Sequence, residues 1–68
     1  MNINEIKQAI KDGKNVYWSN TAYEVIKDNI GQYLIHCTIN GHCIGLHGLK
    51  GTEYENVLNG KEKDFFIK

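Results

Sequence analysis

The residues with the most reactive side chains lie in one stretch, residues 36–47, which holds His36, Cys37, His42, Cys43 and His47. Imidazole and thiolate groups are preferred zinc ligands, and a thiolate beside an imidazole can act as a nucleophile with its base. The spacing matches neither the C-x-x-C nor the H-x-x-x-H pairs of familiar zinc sites. Whether these groups meet therefore depends on the elements that carry them.

A helix is predicted over residues 2–12 from an apolar stripe of helical period. The stripe consists of Ile3, Ile6, Ala9 and Ile10. Asn2 can cap the helix with Glu5 three residues later, and Gly13 can end it in a left-handed conformation. The start signals, the stop signal and the apolar stripe all predict one N-terminal helix.

From Asn15 onward, short runs rich in aromatic and β-branched residues predict strands. The first four runs are 16–18, 23–26, 33–39 and 42–46, with first turns at 19–22 and 28–31. Further strands are predicted at 54–58 and 64–67, with a helical turn over 61–64 as an alternative. The predicted fold is α+β, with the N-terminal α-helix packed on a curved, small-barrel-like antiparallel sheet of about five strands. Residues 1–68 form a single domain.

The dipeptide Asn40–Gly41 predicts a two-residue type I′ turn, since that turn needs positive φ twice and Asn-Gly accepts it readily. The turn would pair Thr38 with Cys43 and place alternate residues on opposite faces. The helix side would carry Tyr33, Ile35, Cys37, Ile39, Ile44 and Leu46, and the outer side Leu34, His36, Thr38, Cys43 and His47. The two cysteines then lie on opposite faces and cannot form a disulfide.

In this register His36 and Cys43 are diagonal neighbours about 7 Å apart. His47 lies about 13 Å from Cys43 along the strand, too far for one zinc ion to join them. The missing ligands would have to come from another subunit or from a bulged strand. We predict no catalytic site, no metal site and no cofactor, with His36 and Cys43 as the one remote possibility for a metal.

The net charge does not indicate a class of partner, because eight Lys balance eight acidic residues and Arg is absent. Arg supplies the planar fork that reads guanine edges and phosphates, so its absence argues against nucleic acid. No run approaches the roughly 20 apolar residues of a membrane span, and the first residues indicate a helix rather than a signal peptide. We therefore expect a cytoplasmic protein without membrane contact.

Four aromatic residues crowd the first three strands: Tyr17, Trp18, Tyr23 and Tyr33. Adjacent strand residues point to opposite faces, so at least one ring faces outward. Val25 and Leu34 add apolar character to the outer face. A second apolar face needs cover, either by closure of the sheet into a barrel or by packing on another subunit. The four aromatics are the predicted binding surface, since aromatics supply contact energy at low entropic cost.

Five segments carry a resemblance to known proteins: VYWSN (16–20), YEVIKD (23–28), GQY (31–33), NGHCIGL (40–46) and LNGKEKDFF (58–66). Together they resemble small uncharacterised proteins of phages and mobile elements of gut bacteria. The resemblance spans most of the chain and includes no catalytic motif. It implies a short accessory protein that works by binding something of the host.

These observations predict a non-enzymatic binding module, a phage-type accessory protein that binds a host protein through the four aromatics, in anti-defence or host takeover. Self-association into a homodimer is the second predicted contact. One alternative is a small β-barrel that binds single-stranded nucleic acid with Lys14, Lys27 and Lys50 beside exposed aromatics. The other is an oligomer that sequesters a small molecule between its subunits.

Overall fold

The computed structural model describes residues 1–48 and 51–68, which form a helix and an antiparallel sheet. The helix α1 spans Ile3–Lys11, and the strands are β1 (Val16–Trp18), β2 (Asn20–Lys27), β3 (Tyr33–Cys37), β4 (Cys43–Gly45) and β5 (Phe65–Ile67). The predicted α+β fold is confirmed, because all strand pairs are antiparallel. Within the described residues, no helix is long and apolar enough to cross a membrane.

Helix α1 begins and ends where capping chemistry predicts. The Asn2 side chain accepts a hydrogen bond of 2.8 Å from Glu5 N, and the Glu5 carboxylate accepts one of 2.9 Å from Asn2 N. Two otherwise unpaired N–H groups are thereby satisfied. Gly13 follows the helix with φ 78°, which costs a glycine little. The apolar stripe then carries Ile6 and Ala9 into the core, where both are buried.

The sheet is open, with the strand order β4-β3-β2-β1-β5. β4 and β5 lie at opposite edges and do not pair, so the sheet does not close into the small barrel that the sequence suggested. Each edge strand has three residues. Short edges expose few unpaired backbone groups to other chains. An open sheet has two faces, and a single helix can cover one of them.

The connection between β1 and β2 consists of Ser19 alone, and the predicted turn over 19–22 is wrong. Ser19 has φ 66°, and its N–H donates to Asp64 O at 2.8 Å. The register shifts between Tyr17 and Trp18, which marks a β-bulge. β2 therefore begins at Asn20, earlier than the predicted 23–26. A bulge depends on backbone pairing with another strand, so residue types in the turn itself did not reveal it.

The β3–β4 hairpin has a loop of four residues, 38–41, between the hydrogen-bonded residues Cys37 and His42. The predicted two-residue turn at Asn40–Gly41 is therefore wrong. Gly41 has φ 78°, but Asn40 is not among the positive-φ residues, so a type I′ turn cannot form. The Asn40 side chain instead accepts a bond of 2.9 Å from His42 N. The loop is closed by Gly41 N donating to Cys37 O at 2.8 Å and Cys37 N donating to His42 O at 2.7 Å.

This loop moves the register by two residues. Cys43 pairs with His36 instead of Thr38, and Ile44 pairs with Ile35. A two-residue shift keeps every side chain on its predicted face. Ile39, predicted to lie under the helix, is instead 82% exposed because it belongs to the loop.

The core lies between α1 and one face of the sheet. It consists of Ile6, Ala9, Val16, Val25, Ile35, Leu46 and Phe65. Each fully buried aliphatic side chain stabilises the fold by roughly 1.5–3 kcal/mol. Val25 lies opposite Ile35 in this core, so its predicted place on the outer face is wrong. The pairing of β2 with β3 sets the face on which Val25 lies. That face was not determined from the sequence, because the first turn was predicted wrongly.

Residues 51–64 contact the helix side of the sheet. The predicted strand over 54–58 is wrong: these residues form turns, and Leu58 alone makes an isolated bridge with His47. Tyr54 and Val57 are more than half exposed, so their side chains do not have the packing on a sheet that would stabilise an extended strand. The alternative of a helical turn is confirmed by a 3₁₀ helix over Glu62–Asp64.

Replacing Asn2 by Ala should lower the free energy of unfolding by about 1 kcal/mol, because the N-cap bond is lost. Asn4→Ala, an exposed position two residues further along the helix, is the matched control and should leave stability unchanged or slightly raised. Urea unfolding followed by circular dichroism measures both. Equal losses in the two variants would contradict the capping role of Asn2.

Candidate functional site

The face of the sheet turned away from α1 is the candidate site, and we call it the open face. Every buried strand residue lies on the helix side: Val16, Val25, Ile35, Cys37 and Phe65. The cross-strand partners assign the open face to Tyr17, Glu24, Ile26, Leu34, His36, Cys43 and Phe66. None of these seven side chains is fully buried.

Two rows of side chains cross the open face. The long row runs over all five strands as Phe66, Tyr17, Glu24, His36 and Cys43. The short row pairs Ile26 with Leu34, and Leu34 in turn lies opposite Gly45. Each row follows from register alone, because directly opposed residues of antiparallel strands point to the same side.

The end of the short row at Gly45 is a gap in the apolar surface. Gly45 has no side chain, so Leu34 has no neighbour on β4. Ile26 and Leu34 are nevertheless half-buried. A Cβ added at Gly45 would lie 3.2 Å from His47 O and 3.9 Å from Asn59 Nδ2, so backbone and a polar side chain, and no apolar side chain of β4, border Leu34 on this side.

The apolar part of the open face continues at the other edge of the sheet. The rings of Tyr17 and Phe66 lie with centroids 5.8 Å apart and planes tilted by 32°. Aromatic pairs at this separation attract one another beyond their burial. With Ile26 and Leu34, these rings give an apolar surface on both sides of Glu24.

Glu24 and His36 interrupt this apolar surface as neighbours on adjacent strands. Thr38 N donates to Ala22 O at 2.8 Å, so Ala22 and Thr38 are a hydrogen-bonded pair of the ladder between β2 and β3. Hydrogen-bonded and non-hydrogen-bonded pairs alternate along an antiparallel ladder, so Glu24 and His36, two positions further along, are also a hydrogen-bonded pair. Their Cα atoms are then about 5.5 Å apart. Both side chains are half-buried, and within the described chain neither makes a hydrogen bond or ion pair. Their polar atoms are not among the buried atoms of the described chain that lack a partner, so water reaches them. A partner that presents a group of opposite charge would replace that water with a charge-assisted hydrogen bond.

His36 and Cys43 are directly opposed, and not diagonal as the predicted register had them. The adjacent bond from Cys37 N to His42 O makes His36–Cys43 a non-hydrogen-bonded pair, with Cα atoms about 4.5 Å apart and side chains close together. Cys43 is exposed and free, whereas Cys37 is free but buried on the helix side. The predicted separation of the two thiols onto opposite faces is confirmed.

The metal chemistry of this pair is limited by the groups around it. In the described part of the chain, no group of three or more His, Cys, Asp or Glu side chains is placed to hold a metal ion. His47 follows the end of β4, where its Nδ1 is 2.8 Å from Gly48 O and its backbone bridges to Leu58. His42 is exposed in the β3–β4 loop. His36 and Cys43 remain two ligands of a tetrahedral set that needs four.

The four predicted binding aromatics do not form one surface. Tyr17 alone lies on the open face. Trp18 and Tyr23 lie on the helix side, where they pack edge to face at 5.2 Å and contact the core. Tyr33 also packs against the core, so three of the four rings complete the interior.

Trp18 is held by close packing and not by a hydrogen bond. Its Nε1 is buried without a partner in the described chain. Gly60 lies so near that a Cβ added there would come within 2.5 Å of this nitrogen. The ring is therefore enclosed by the chain that leads into β5, and it is not available to a ligand.

Tyr33 borders a cleft of about 660 Å³ that Leu34 and Gly45 of the open face also line. Lys7 Nζ and Lys27 Nζ lie 5.0 and 5.6 Å from its ring centroid, within the range of cation–π attraction. His47 and Glu55 also line the cleft. Lys50, the third lysine of the nucleic-acid alternative, lies outside the described residues.

Sequence reasoning missed Phe66 and Ile26 as surface residues. Phe66 belongs to an apolar run and reads as core, but its partner Tyr17 places it on the open face. Ile26 follows Val25, and alternation alone does not say which of the two is inside. The alternation of side chains along β2 was a usable signal. It puts Glu24 and Ile26 on the same face, so assigning one of them to a face also assigns the other.

No protein-family model, curated protein sequence or solved structure matches this chain. The functional argument therefore depends on the open face and its chemistry.

Replacing His36 by Cys should give an intrachain disulfide with Cys43 on mild oxidation, because a directly opposed pair meets the Cα separation of about 4.4–6.8 Å that a disulfide needs. Thr38→Cys is the matched control, since the two-residue turn would have paired position 38 with Cys43. Mass spectrometry of peptides measures the linkage in dilute protein. Linkage in Thr38→Cys but not in His36→Cys would contradict the observed register.

Proposed function

We propose that this protein is a non-enzymatic binding module that acts by protein–protein contact through its open face. The observation that carries the proposal is an apolar sheet face, formed by Tyr17, Phe66, Ile26 and Leu34, opposite the face that α1 covers. Glu24 and His36 divide this surface, and each of the four apolar side chains is partly exposed. Apolar side chains that stay partly exposed on an uncovered sheet face are typical of an interaction site. Sheet faces commonly bury such surface against a second layer.

A protein is the partner class that the open face fits best. Its two rings and two aliphatic side chains suit an apolar contact, and Glu24 and His36 offer an acceptor and a donor at its centre. Interfaces combine apolar anchors with polar groups that fix orientation. The resemblance to phage proteins suggests a host protein in the bacterial cytoplasm as a target. That origin and location stay predictions.

Nucleic acid fits the open face less well. The seven residues of the face include Glu24 and no Lys, and a stacking platform needs cations between its rings to hold phosphates. Lys7 and Lys27 lie instead beside Tyr33 on the helix side, where the ring packs against the core. A ring occupied in this way leaves little of its surface for a base.

A small-molecule-binding role has one observation in its favour, the cleft beside Tyr33. Lys7, His47 and Glu55 give it both positive and acidic groups. Polar groups that converge in a cleft are typical of ligand sites, which span about 300–1,000 Å³. Leu34 and Gly45 of the open face also line this cleft, so Leu34 belongs to both candidate sites, whereas Lys7 and Glu55 belong to the cleft and not to the open face.

Leu34→Lys should remove partner binding, because a charge would be buried at the contact, while in the free protein the lysine at this partly exposed position can extend its ammonium group into water. Ile44→Lys is the matched control, since Ile44 is half exposed on the helix-side register at the edge. Affinity purification of tagged protein from bacterial cells, with quantitative mass spectrometry, measures retained proteins. We expect at least about a tenfold loss for Leu34→Lys alone.

Circular dichroism of both variants checks that they remain folded. Equal retention by the wild type, Leu34→Lys and Ile44→Lys would exclude the open face as the binding surface. Loss in Ile44→Lys with retention in Leu34→Lys would move the site to the helix side of the sheet at β4.

A further inference from the structure

The geometry points to a second copy of this chain as the partner that covers the open face, in a symmetric dimer in which Glu24 of each copy meets His36 of the other. This inference rests on the proposed function, because it names the occupant of the same surface. It follows from where the register places two half-buried, unpaired groups of opposite type. It also follows from the small size of the core.

The small core provides the first reason for self-association. Domains of fewer than about 70–80 residues usually need disulfides, a metal or oligomerisation to supplement one core. Both cysteines are free, and the described residues form no metal-holding cluster. Association is the supplement that remains, and the open face offers apolar surface for it.

The second reason is the self-complementarity of the face. Consider a two-fold axis that runs parallel to the strands, midway between two stacked sheets and above the gap between β2 and β3. Such an axis places each β2 residue over the β3 residue at the same height in the second copy. Glu24 then faces His36 of the second copy, and Ile26 faces Leu34 of the second copy, because each pair shares a height in one sheet.

The outer strands agree with the same axis. Tyr17 on β1 would face Cys43 on β4 of the second copy, which gives the exposed thiol an aromatic neighbour. Stacked sheets lie about 10 Å apart and cross at about −30° because of their twist. Residues near the axis stay the most nearly opposed despite that crossing, and the open-face residues of β2 and β3 are the nearest to it: Glu24, Ile26, Leu34 and His36.

Charge excludes the closest alternative axis. An axis directly above β2 would place Glu24 against Glu24 of the second copy, and like charges in a buried contact oppose binding. An axis above the gap between β3 and β4 would pair His36 with Cys43 of the second copy and leave Glu24 over the partner's edge. That second arrangement assembles two His and two Cys and would require zinc.

The contact is small, so the dimer should be weak. Four strands at about 4.8 Å spacing and about 17 Å length give a projected area on the order of 300 Å² per copy. Side chains that project from the sheets increase the buried surface area, but the total buried area stays at the low end of the range for specific interfaces. Sedimentation equilibrium of the purified chain from about 10 µM to about 1 mM covers the range of such weak association.

The test exchanges charges between copies. Glu24→Lys and His36→Glu should each raise the dimer dissociation constant by about tenfold or more, because each puts like or unmatched groups together. An equimolar mixture of the two variants should restore dimers, since lysine then faces glutamate and His36 faces Glu24. The exposed Glu53→Lys and His42→Glu carry the same charge changes off the face, and they should dimerise like the wild type alone and mixed.

Circular dichroism at low concentration shows whether each variant folds as a monomer. A wild type that stays monomeric over the whole range would overturn the inference, as would a dimer that neither charge variant weakens. A dimer lost on adding EDTA would overturn the charge pairing in favour of the zinc arrangement. A monomer whose binding in cells still depends on Leu34 would refute the second copy and leave the proposed function standing.

Discussion

The organisation of this molecule depends on one helix of nine residues having to bury one face of a five-stranded sheet. The helix brings Ile6 and Ala9 to the core, and the strands and the following chain supply the rest. Burial of apolar surface is the main stabilising force available to so short a chain. Since α1 is the single α-helix of the described residues, the same arrangement that makes the core leaves the opposite face without a second layer. The uncovered open face is a direct consequence of how the core is built.

The composition of the open face agrees with this origin. A sheet face meant for water would alternate polar residues along each strand, as antiparallel sheets with one solvated face do. β3 instead places Leu34 beside His36 on that face, and β2 places Ile26 beside Glu24. The ionisable groups lie at the centre of the surface and the aromatic pair lies at one edge. Apolar anchors around a polar centre are the composition of a contact surface more than of a solvated one.

The reactive residues owe their positions to register. A hairpin loop of four residues brings His36 and Cys43 into direct opposition and takes Ile39 out to solvent. The same register leaves Cys37 in the interior. The imidazole of His36 thus lies between the Cys43 thiol on β4 and the Glu24 carboxylate on β2, in one row across the open face.

The sequence by itself determined the helix with its cap, the antiparallel strands after it, and the face on which each residue of β3 and β4 lies. Those features depend on local propensity and on a period of two, both of which can be read from neighbours in the chain. Only the tertiary structure decided the bulge after Tyr17, the loop at Asn40, the inward place of Val25 and the separation of Tyr17 from the other rings. Each of these depends on which strand lies beside which, and at what register. Pairing energy between residues distant in sequence sets that choice, and local residue types do not reveal it.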